Sequence, residues 1–200
     1  MLSSHLTTAA RAIAFLSAAV ALSACGGGTK IAPPPSTTNP APAAKFSDFK
    51  VIDMRPIVIA PEFAEADANQ KATKKIQEIL DANLSGVIAS WNSTEHGATR
   101  GTLVIEPLIT RMKFIGGGAR FMVGAMAGNS AVLMEIPFKE AETGQEIAKP
   151  VIYQRANAMV GSMSVGGADN AMLNRVAQMM TDYIKSNFDA AVGGPTGSAE

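Results

Sequence analysis

Alternating apolar and polar residues over positions 102–156 constrain the fold of this chain more than any other feature. Within residues 130–140, Val132, Met134, Ile136 and Phe138 alternate with Ala131, Leu133, Glu135 and Lys139. Such a period of two is typical of a strand with one face against a core. Residues 102–115 and 147–156 carry weaker alternation, and Glu142-Thr143-Gly144-Gln145 predicts a turn before the last segment. The sequence therefore predicts three consecutive strands.

Prolines interrupt these strands. Pro107 separates two apolar groups of opposite parity, so a bulge at Glu106-Pro107 is predicted to turn both groups to one face, with Arg111 and Lys113 pointing outward. Because proline cannot donate to a ladder, Pro137 and Pro150 are predicted to lie where the hairpin faces an open edge.

The segments on either side complete the fold prediction. Residues 46–54 read as a buried strand, and residues 57–59, bracketed by Pro56 and Pro61, as an edge segment. Over residues 67–91 the apolar period changes to that of a helix, with Asp67 as its N-cap, and a second helix is predicted from Asp169. The order β-α-β-β-β-α predicts an α/β (α+β) sandwich, a sheet of about four strands with two amphipathic helices packed on it.

A Gly/Met pattern occurs twice beside the predicted strands. Met122-Val123-Gly124-Ala125-Met126-Ala127 follows the first strand, and Met159-Val160-Gly161-Ser162-Met163-Ser164 follows the third, 37 positions later. If the strands are antiparallel, both copies leave the sheet at the same end. Methionine is flexible and polarisable, so an exposed pair of such segments suits an irregular apolar partner, although methionines folded into the core would give the same pattern.

Two other interpretations of the glycines are weaker. A phosphate-binding loop lacks its third glycine at Phe121, and no Lys-Ser/Thr follows. Gly124 and Gly128 form a Gly-x-x-x-Gly, but the apolar run is far shorter than the ~20 residues of a membrane-spanning helix. The predicted partner-binding residues are Gly116, Gly117, Gly118, Arg120, Met122, Gly124, Met126, Gly128, Arg155, Met159, Gly161 and Met163.

The first 25 residues indicate export and lipidation. A short apolar run over residues 12–22 follows Arg11, which is typical of a signal peptide. Leu22-Ser23-Ala24-Cys25 then resembles the lipobox of bacterial lipoproteins, so residues 1–24 are predicted to be removed and Cys25 to carry lipid. In such proteins Gly26 after the cysteine favours sorting to the outer membrane, facing the periplasm.

Composition sets the predicted domain limits. Residues 25–44 are rich in Pro and Gly and are predicted to form a tether, and residues 193–200 a flexible tail, which leaves residues 45–192 as a single domain. Lysines and arginines number 17, as do acidic residues, and signal removal takes away only Arg11. Without a basic excess, nucleic-acid binding is not expected.

Few side chains are suited to catalysis. Cys25 is the only cysteine, and His96 is the only histidine after the signal, so neither a metal site nor a cofactor is predicted. A hydrolase that uses His96 with Ser90, Ser93 or Glu95 is a weak alternative, because residues adjacent on one loop rarely form a triad. The sequence predicts a protein that is not an enzyme.

Three stretches resemble one known family: Thr102-Leu-Val-Ile-Glu-Pro-Leu-Ile-Thr, the run from Gly116 to Ser130, and Ala141-Glu-Thr-Gly-Gln-Glu-Ile-Ala. They are similar to the bacterial lipoprotein family of domain of unknown function 4410, over roughly residues 46–188. The resemblance implies an exported, anchored α/β domain and supplies no catalytic residue.

The sequence as a whole thus predicts a lipid-anchored envelope protein that works as a binding or assembly module. Its Gly/Met segments would form the contact end, with Arg120 and Arg155 at the rim. The expected partners are the membrane, through the anchor, and an envelope protein or apolar ligand. A periplasmic carrier of a lipid or other apolar ligand is the main alternative, and self-association is compatible with either.

Overall fold

The computed structural model describes residues 31–114, 130–156 and 167–198. The helices are α1 (Pro61–Ala64), α2 (Asp67–Ser93) and α3 (Gly167–Ser186), with a 3₁₀ turn at Phe46–Asp48. The strands are β1 (Thr38–Asn39), β2 (Phe49–Met54), β3 (Val58–Ile59), β4 (Arg100–Ile105), β5 (Leu108–Lys113), β6 (Ala131–Glu135), β7 (Phe138–Glu140), β8 (Glu146–Ala148), β9 (Val151–Arg155) and β10 (Gly194–Pro195). The predicted fold class is confirmed.

A line of four prolines divides the main strand layer. Strand order is β2-β4-β7-β8 on one side and β3-β5-β6-β9 on the other, so each long strand passes from one four-stranded sheet into the next. The crossings contain Pro56, Pro107, Pro137 and Pro150. Because proline has no N–H, the ladder breaks at the same level in all four strands. We call the first sheet the turn half and the second the loop half.

Backbone hydrogen bonds still join the strands at this line. The Arg55 N–H donates to the Ile105 carbonyl oxygen at 2.9 Å, and Glu106 N–H donates to the Pro137 carbonyl oxygen at 3.0 Å. Pro137 therefore lies inside the strand layer, and the prediction that it faces an open edge is wrong. A proline is tolerated there because its missing donor coincides with the break in the ladder.

The bulge lies elsewhere than predicted. Pairing between β5 and β6 shifts between Ile109 and Arg111, not at Glu106-Pro107. Ile109 and Met112 are consequently buried, whereas Leu108 lies half-exposed on the opposite face. The outward direction predicted for Arg111 and Lys113 agrees with this register.

Helices α2 and α3 pack side by side on one face of the strand layer. The α2 residues that enter the core recur at helical spacing: Ala72, Ile76, Leu80 and Leu84. Met172, Val176, Met180 and Ile184 do the same on α3. The rings of Phe46 and Phe138 stack at 4.8 Å between the layers. The described residues place no helix on the other face of the layer, and we call it the open face.

Asparagine side chains close both edges of the strand layer. At the β2 edge, the Ile52 N–H donates to Asn92 Oδ1 at 2.8 Å, and Asn92 Nδ2 donates to the Ile52 carbonyl oxygen at 2.9 Å. At the β9 edge, Asn39 makes the same pair of bonds with Val151, at 2.8 and 2.9 Å. A side-chain amide offers one donor and one acceptor, as a strand residue does. These points are therefore satisfied without another strand.

The predicted tether and tail are wrong for the segments nearest the domain. We call residues 31–44 the arm and residues 193–198 the tail. Strand β1 in the arm pairs with β10 in the tail, and the Tyr153 N–H donates to the Thr196 carbonyl oxygen at 2.8 Å. Gly193, at φ 75°, lies so close to the arm that a Cβ would overlap the Asn39 carbonyl oxygen. Neither segment forms a core of its own, but both bind an edge that the domain already provides.

Candidate functional site

Most predicted contact residues lie outside the described residues. Arg155, at the end of β9, is described and exposed. The remaining positions lie in residues 115–129 and 157–166: Gly116, Gly117, Gly118, Arg120, Met122, Gly124, Met126, Gly128, Met159, Gly161 and Met163. Cys25 lies in residues 1–30, also outside. Whether the methionines are exposed therefore stays a prediction.

The strand ends that lead into both Gly/Met segments are described and are neighbours. Lys113 pairs with Ala131, and Ala131 pairs with Arg155, in adjacent antiparallel strands. Just beyond, the Ala156 N–H donates to the Ser130 carbonyl oxygen at 2.8 Å. Both segments thus begin at one end of the strand layer, as the antiparallel arrangement predicted. We call it the loop end, and the opposite end, at the β7–β8 turn, the turn end.

Three basic side chains share the open face at the loop end. Lys113, Ala131 and Arg155 form one row across the sheet, and Arg111, Leu133 and Tyr153 form the next. Strands lie ~4.8 Å apart and alternate residues ~7 Å apart, so neighbouring members of the set Arg111, Lys113 and Arg155 have Cα atoms within roughly 10 Å. The small Ala131 side chain separates the lysine from the arginine. We call these three residues the cation cluster.

No carboxylate in the described part of the chain pairs with the cation cluster. Glu135, two residues after Leu133 on the same strand face, forms an ion pair with Lys149 Nζ at 2.6 Å. The hydrogen bond in this pair raises the pKa of the Lys149 ammonium. Arg111 and Arg155 are exposed and Lys113 is half-buried. The alternation in the sequence predicts that Arg111 and Lys113 point outward, but neither was predicted as a site residue, although both lie on the strand that leads to the first Gly/Met segment.

A groove of about 890 Å³ follows the proline line on the open face. Its apolar lining includes Pro56, Val58, Val104, Pro107, Leu108 and Pro137. Val58 is 59% exposed, a high value for a strand valine. The Lys139–Glu106 ion pair, at 2.8 Å, lies along the groove. The open face therefore has an apolar centre and a basic loop end.

His96 lies at the turn end in a cavity of about 360 Å³ lined also by Lys50, Asn92 and Glu95. Its Nδ1 is 2.7 Å from the Thr94 carbonyl oxygen, and its Nε2 is 3.1 Å from that of Phe49. Both ring nitrogens thus face backbone acceptors. The Ser93 hydroxyl donates to the Ser90 carbonyl oxygen at 3.0 Å. These contacts do not form the serine–histidine arrangement that a hydrolase would need.

Arg100 and Glu140 at the turn end are partners of each other. Arg100 Nε and Nη2 donate to the two carboxylate oxygens of Glu140, each at 3.1 Å, and the Thr143 hydroxyl adds a bond of 2.7 Å. The hydrogen bond from Arg100 is the main reason that the pKa of Glu140 is lowered. The Arg100 guanidinium also lies 4.9 Å from the centre of the Phe49 ring.

Neither a metal-ligand cluster nor a membrane-spanning helix is found among the described residues. No group of three or more His, Cys, Asp or Glu side chains there is arranged to hold a metal ion. Among the helices of residues 31–114 and 167–198, none combines the length and apolarity needed to cross a bilayer.

Comparison with known proteins gives no family assignment. No protein-family model matches the chain, and no curated protein matches its sequence. The resemblance to the family of domain of unknown function 4410 is therefore not confirmed.

Several solved structures are similar in outline. The PelC dodecamer from Paraburkholderia phytofirmans is 11% identical, with 76% of this chain and 95% of that chain covered and a TM-score of 0.36. A Caulobacter crescentus protein provisionally described as a lipoprotein is 12% identical, with coverages of 72% and 93% and a TM-score of 0.34. Protein XCC0632 from Xanthomonas campestris, assigned to domain of unknown function 330, is 6% identical, with coverages of 76% and 88% and a TM-score of 0.39. At such low TM-scores and sequence identities, these similarities do not support any inference about the function of this chain.

Proposed function

We infer that this chain is a lipid-anchored bacterial envelope protein that acts as a non-enzymatic binding or assembly module. The observation that supports this proposal is that the described strand ends leading into both Gly/Met segments are neighbours at one end of the strand layer. Their flanking residues, Lys113, Ala131 and Arg155, lie side by side in adjacent strands. Two similar segments at one end can contact one partner together, with Arg120 and Arg155 at the rim.

The rest of the domain surface favours the same end. Helices α2 and α3 cover one face, and Asn92 and Asn39 close the two edges. Arg100 and Glu140 neutralise each other at the turn end. These features leave the open face and the loop end as the surfaces best suited to an apolar or charged partner.

Crosslinking in cells tests the proposed contact end. A photoreactive residue at Met126 and another at Met163 are expected to capture the same envelope protein, because both segments start from neighbouring strands. Lys74 on α2 and Gln178 on α3 are exposed control positions on the helical face. Capture from the control positions, with none from Met126 and Met163, would reject the loop end as the contact surface.

The lipid anchor needs its own test. Mass spectrometry of the protein extracted from envelopes is expected to show acyl chains on Cys25 and loss of residues 1–24. Cys25→Ser should move the protein from the membrane fraction to the soluble periplasmic fraction. An unmodified Cys25 in the mature chain would remove the anchor from the proposal.

A carrier of a lipid or other apolar ligand is the second candidate, and one observation favours it. The groove of about 890 Å³ has the volume of a small-molecule site, for which ~300–1,000 Å³ is usual. It lies on the open face, however, whereas such sites generally surround most of their ligand. Native mass spectrometry of protein purified from its own envelope should show a co-purifying mass if this candidate is correct and none if it is wrong.

A further inference from the structure

The arm reaches the domain beside the cation cluster. The Tyr153 hydroxyl donates to the Ile31 carbonyl oxygen at 3.2 Å. Tyr153 is in register with Leu133, and Leu133 with Arg111, so the tyrosine side chain lies on the open face in the same row as this arginine. The first described residue of the chain therefore contacts the face that carries the cation cluster.

Little chain separates this contact from the predicted anchor. Five residues lie between Cys25 and Ile31, and even a fully extended chain spans at most ~3.6 Å per residue step, or roughly 22 Å between the two Cα atoms. If Cys25 carries lipid, as in the proposed function, Ile31 is held within about that distance of the bilayer surface. A long tether was expected from the sequence, but the arm from Ile31 onward is bound to the domain. The anchor therefore limits which face can approach the membrane.

The distribution of basic side chains favours the same face for contact with the membrane. The domain has no net positive charge to attract it to anionic lipids in any orientation, because acidic and basic residues are equally numerous. Arg111, Lys113 and Arg155 are nevertheless grouped on the open face, with no acidic partner in the described part of the chain. Arginine and lysine can extend along apolar surface and place their charged groups among lipid head groups.

We propose that the loop end of the open face lies against the anionic phospholipid head groups of the bilayer that holds the Cys25 anchor. Arg111, Lys113 and Arg155 contact the head groups, and the arm at Tyr153 brings the lipid anchor down beside them. The turn end, with Glu140 and Glu142, points away from the bilayer. This inference takes the anchor from the proposed function and adds the orientation of the domain and the lipid class that it contacts. It also implies that an envelope protein captured at the loop end lies in or on the same membrane.

Vesicle binding by the unlipidated mature chain tests the surface without help from the anchor. Residues 25–200 with Cys25→Ser are mixed at low ionic strength with vesicles of phosphatidylcholine alone, or of equal parts phosphatidylcholine and phosphatidylglycerol, and sedimented. The chain should bind the anionic vesicles and not the neutral ones, and added salt should weaken binding because the charges are screened. Each basic side chain at an anionic surface strengthens binding about fivefold.

A pair of triple variants separates the cation cluster from net charge. Combining Arg111→Gln, Lys113→Gln and Arg155→Gln should lower vesicle partitioning on the order of a hundredfold. The matched control combines Lys71→Gln, Lys74→Gln and Lys185→Gln, three exposed helix lysines with the same total charge. It should bind nearly as well as the parent chain. Both triple variants should keep the thermal unfolding midpoint of the parent.

Several outcomes would overturn the proposed surface. They are an equal loss in both triple variants, an unchanged affinity in the cluster variant, and no binding of the parent chain to anionic vesicles. Because the tested chain has no lipid, each result is independent of whether Cys25 is lipidated in cells. Failure of the anchor itself would instead appear as an unmodified Cys25 in protein from envelopes.

Discussion

Arg100 and Glu140 at the turn end bind each other through two hydrogen bonds, whereas Arg111, Lys113 and Arg155 at the loop end have no carboxylate partner among the described residues. Both sets lie on strands of the same layer. Glu142, also at the turn end, has a partner as well, because its carboxylate accepts a hydrogen bond from the Thr102 N–H at 3.1 Å. These three charged side chains at the turn end therefore form contacts within the domain.

This difference distinguishes structural charges from charges available to a partner. Removing a partnered group leaves its neighbour unsatisfied and costs stability. Removing an unpartnered, exposed group costs little stability, so any effect should appear in binding. The two halves can be compared directly, because an asparagine closes an edge in each. Variants at matched positions then show which end supports the fold and which is free to bind.

Asn39→Ala in the loop half should have the largest effect on stability. Asn39 is only 7% exposed and makes three hydrogen bonds, two with Val151 and one to the Pro195 carbonyl oxygen. Their loss leaves backbone groups of Val151 and Pro195 unpaired beside a buried position and should lower the free energy of unfolding by about 3 kcal/mol. Urea denaturation measures this change. A loss below ~1 kcal/mol would show that the arm is not an integral part of the domain.

Asn92→Ala in the turn half is the matched variant with a smaller expected effect. Asn92 makes the equivalent two bonds with Ile52, but its side chain is exposed. Water can replace an exposed amide, so the free energy of unfolding should fall by about 1 kcal/mol. The same denaturation experiment applies. If Asn92→Ala costs more than Asn39→Ala, burial does not decide the strength of these edge contacts.

Glu140→Gln should remove an acid-dependent part of the stability. The pKa of Glu140 is lowered below its ordinary value of 4.5, mainly by the hydrogen bond from Arg100. Folding therefore gains from this carboxylate above that value, and the gain is lost as the pH falls through the lowered pKa. The Arg100 side chain is 29% exposed, which keeps the effect modest.

The measurement is urea unfolding at about pH 7 and about pH 3. The difference between parent and Glu140→Gln should be largest at neutral pH and shrink in acid. A constant difference across this range would mean that the carboxylate charge does not stabilise the fold.

Single substitutions in the cation cluster should have the smallest effect on stability. Arg111→Gln, Lys113→Gln and Arg155→Gln should each change the free energy of unfolding by less than ~0.5 kcal/mol, because no described acidic side chain loses a partner. Thermal or urea unfolding provides the comparison with the turn end. A loss above 1 kcal/mol at Lys113, on the order of a lost hydrogen bond, would indicate a structural partner for that lysine.

Local periodicity was sufficient to predict the helices and the antiparallel strands. Helix α2 begins at Asp67, within one residue of the predicted start, because helical spacing depends on neighbours within a few positions. The prediction that Asp67 is the N-cap is wrong, since Ala66 holds that position and no side chain caps the helix. The strands were predicted as continuous segments, but prolines divide them. No single strand reveals that division, since it depends on four prolines reaching the same level in the folded sheet.

The arm and the cation cluster could not be predicted in the same way. Asn39 bonds to Val151, 112 positions away, and Thr196 bonds to Ser36 across 160 positions. Pro/Gly-rich composition correctly indicates that such a segment cannot form its own core, but not that it can bind an existing strand edge. Lys113 and Arg155 likewise become neighbours only through the pairing of each with Ala131.

The orientation of the lipidated protein on a bilayer tests the central claim most directly. The full mature chain with its anchor is placed in phosphatidylglycerol-containing nanodiscs that carry nitroxide-labelled head groups, and methyl resonances are compared with those in unlabelled discs. Ala131 and Leu133 report on the loop end of the open face, and Ala141 and Thr143 on the turn end. The account predicts strong paramagnetic broadening of the Ala131 and Leu133 methyl groups and little at Ala141 and Thr143. Equal broadening at both ends, or stronger broadening at the turn end, would contradict it.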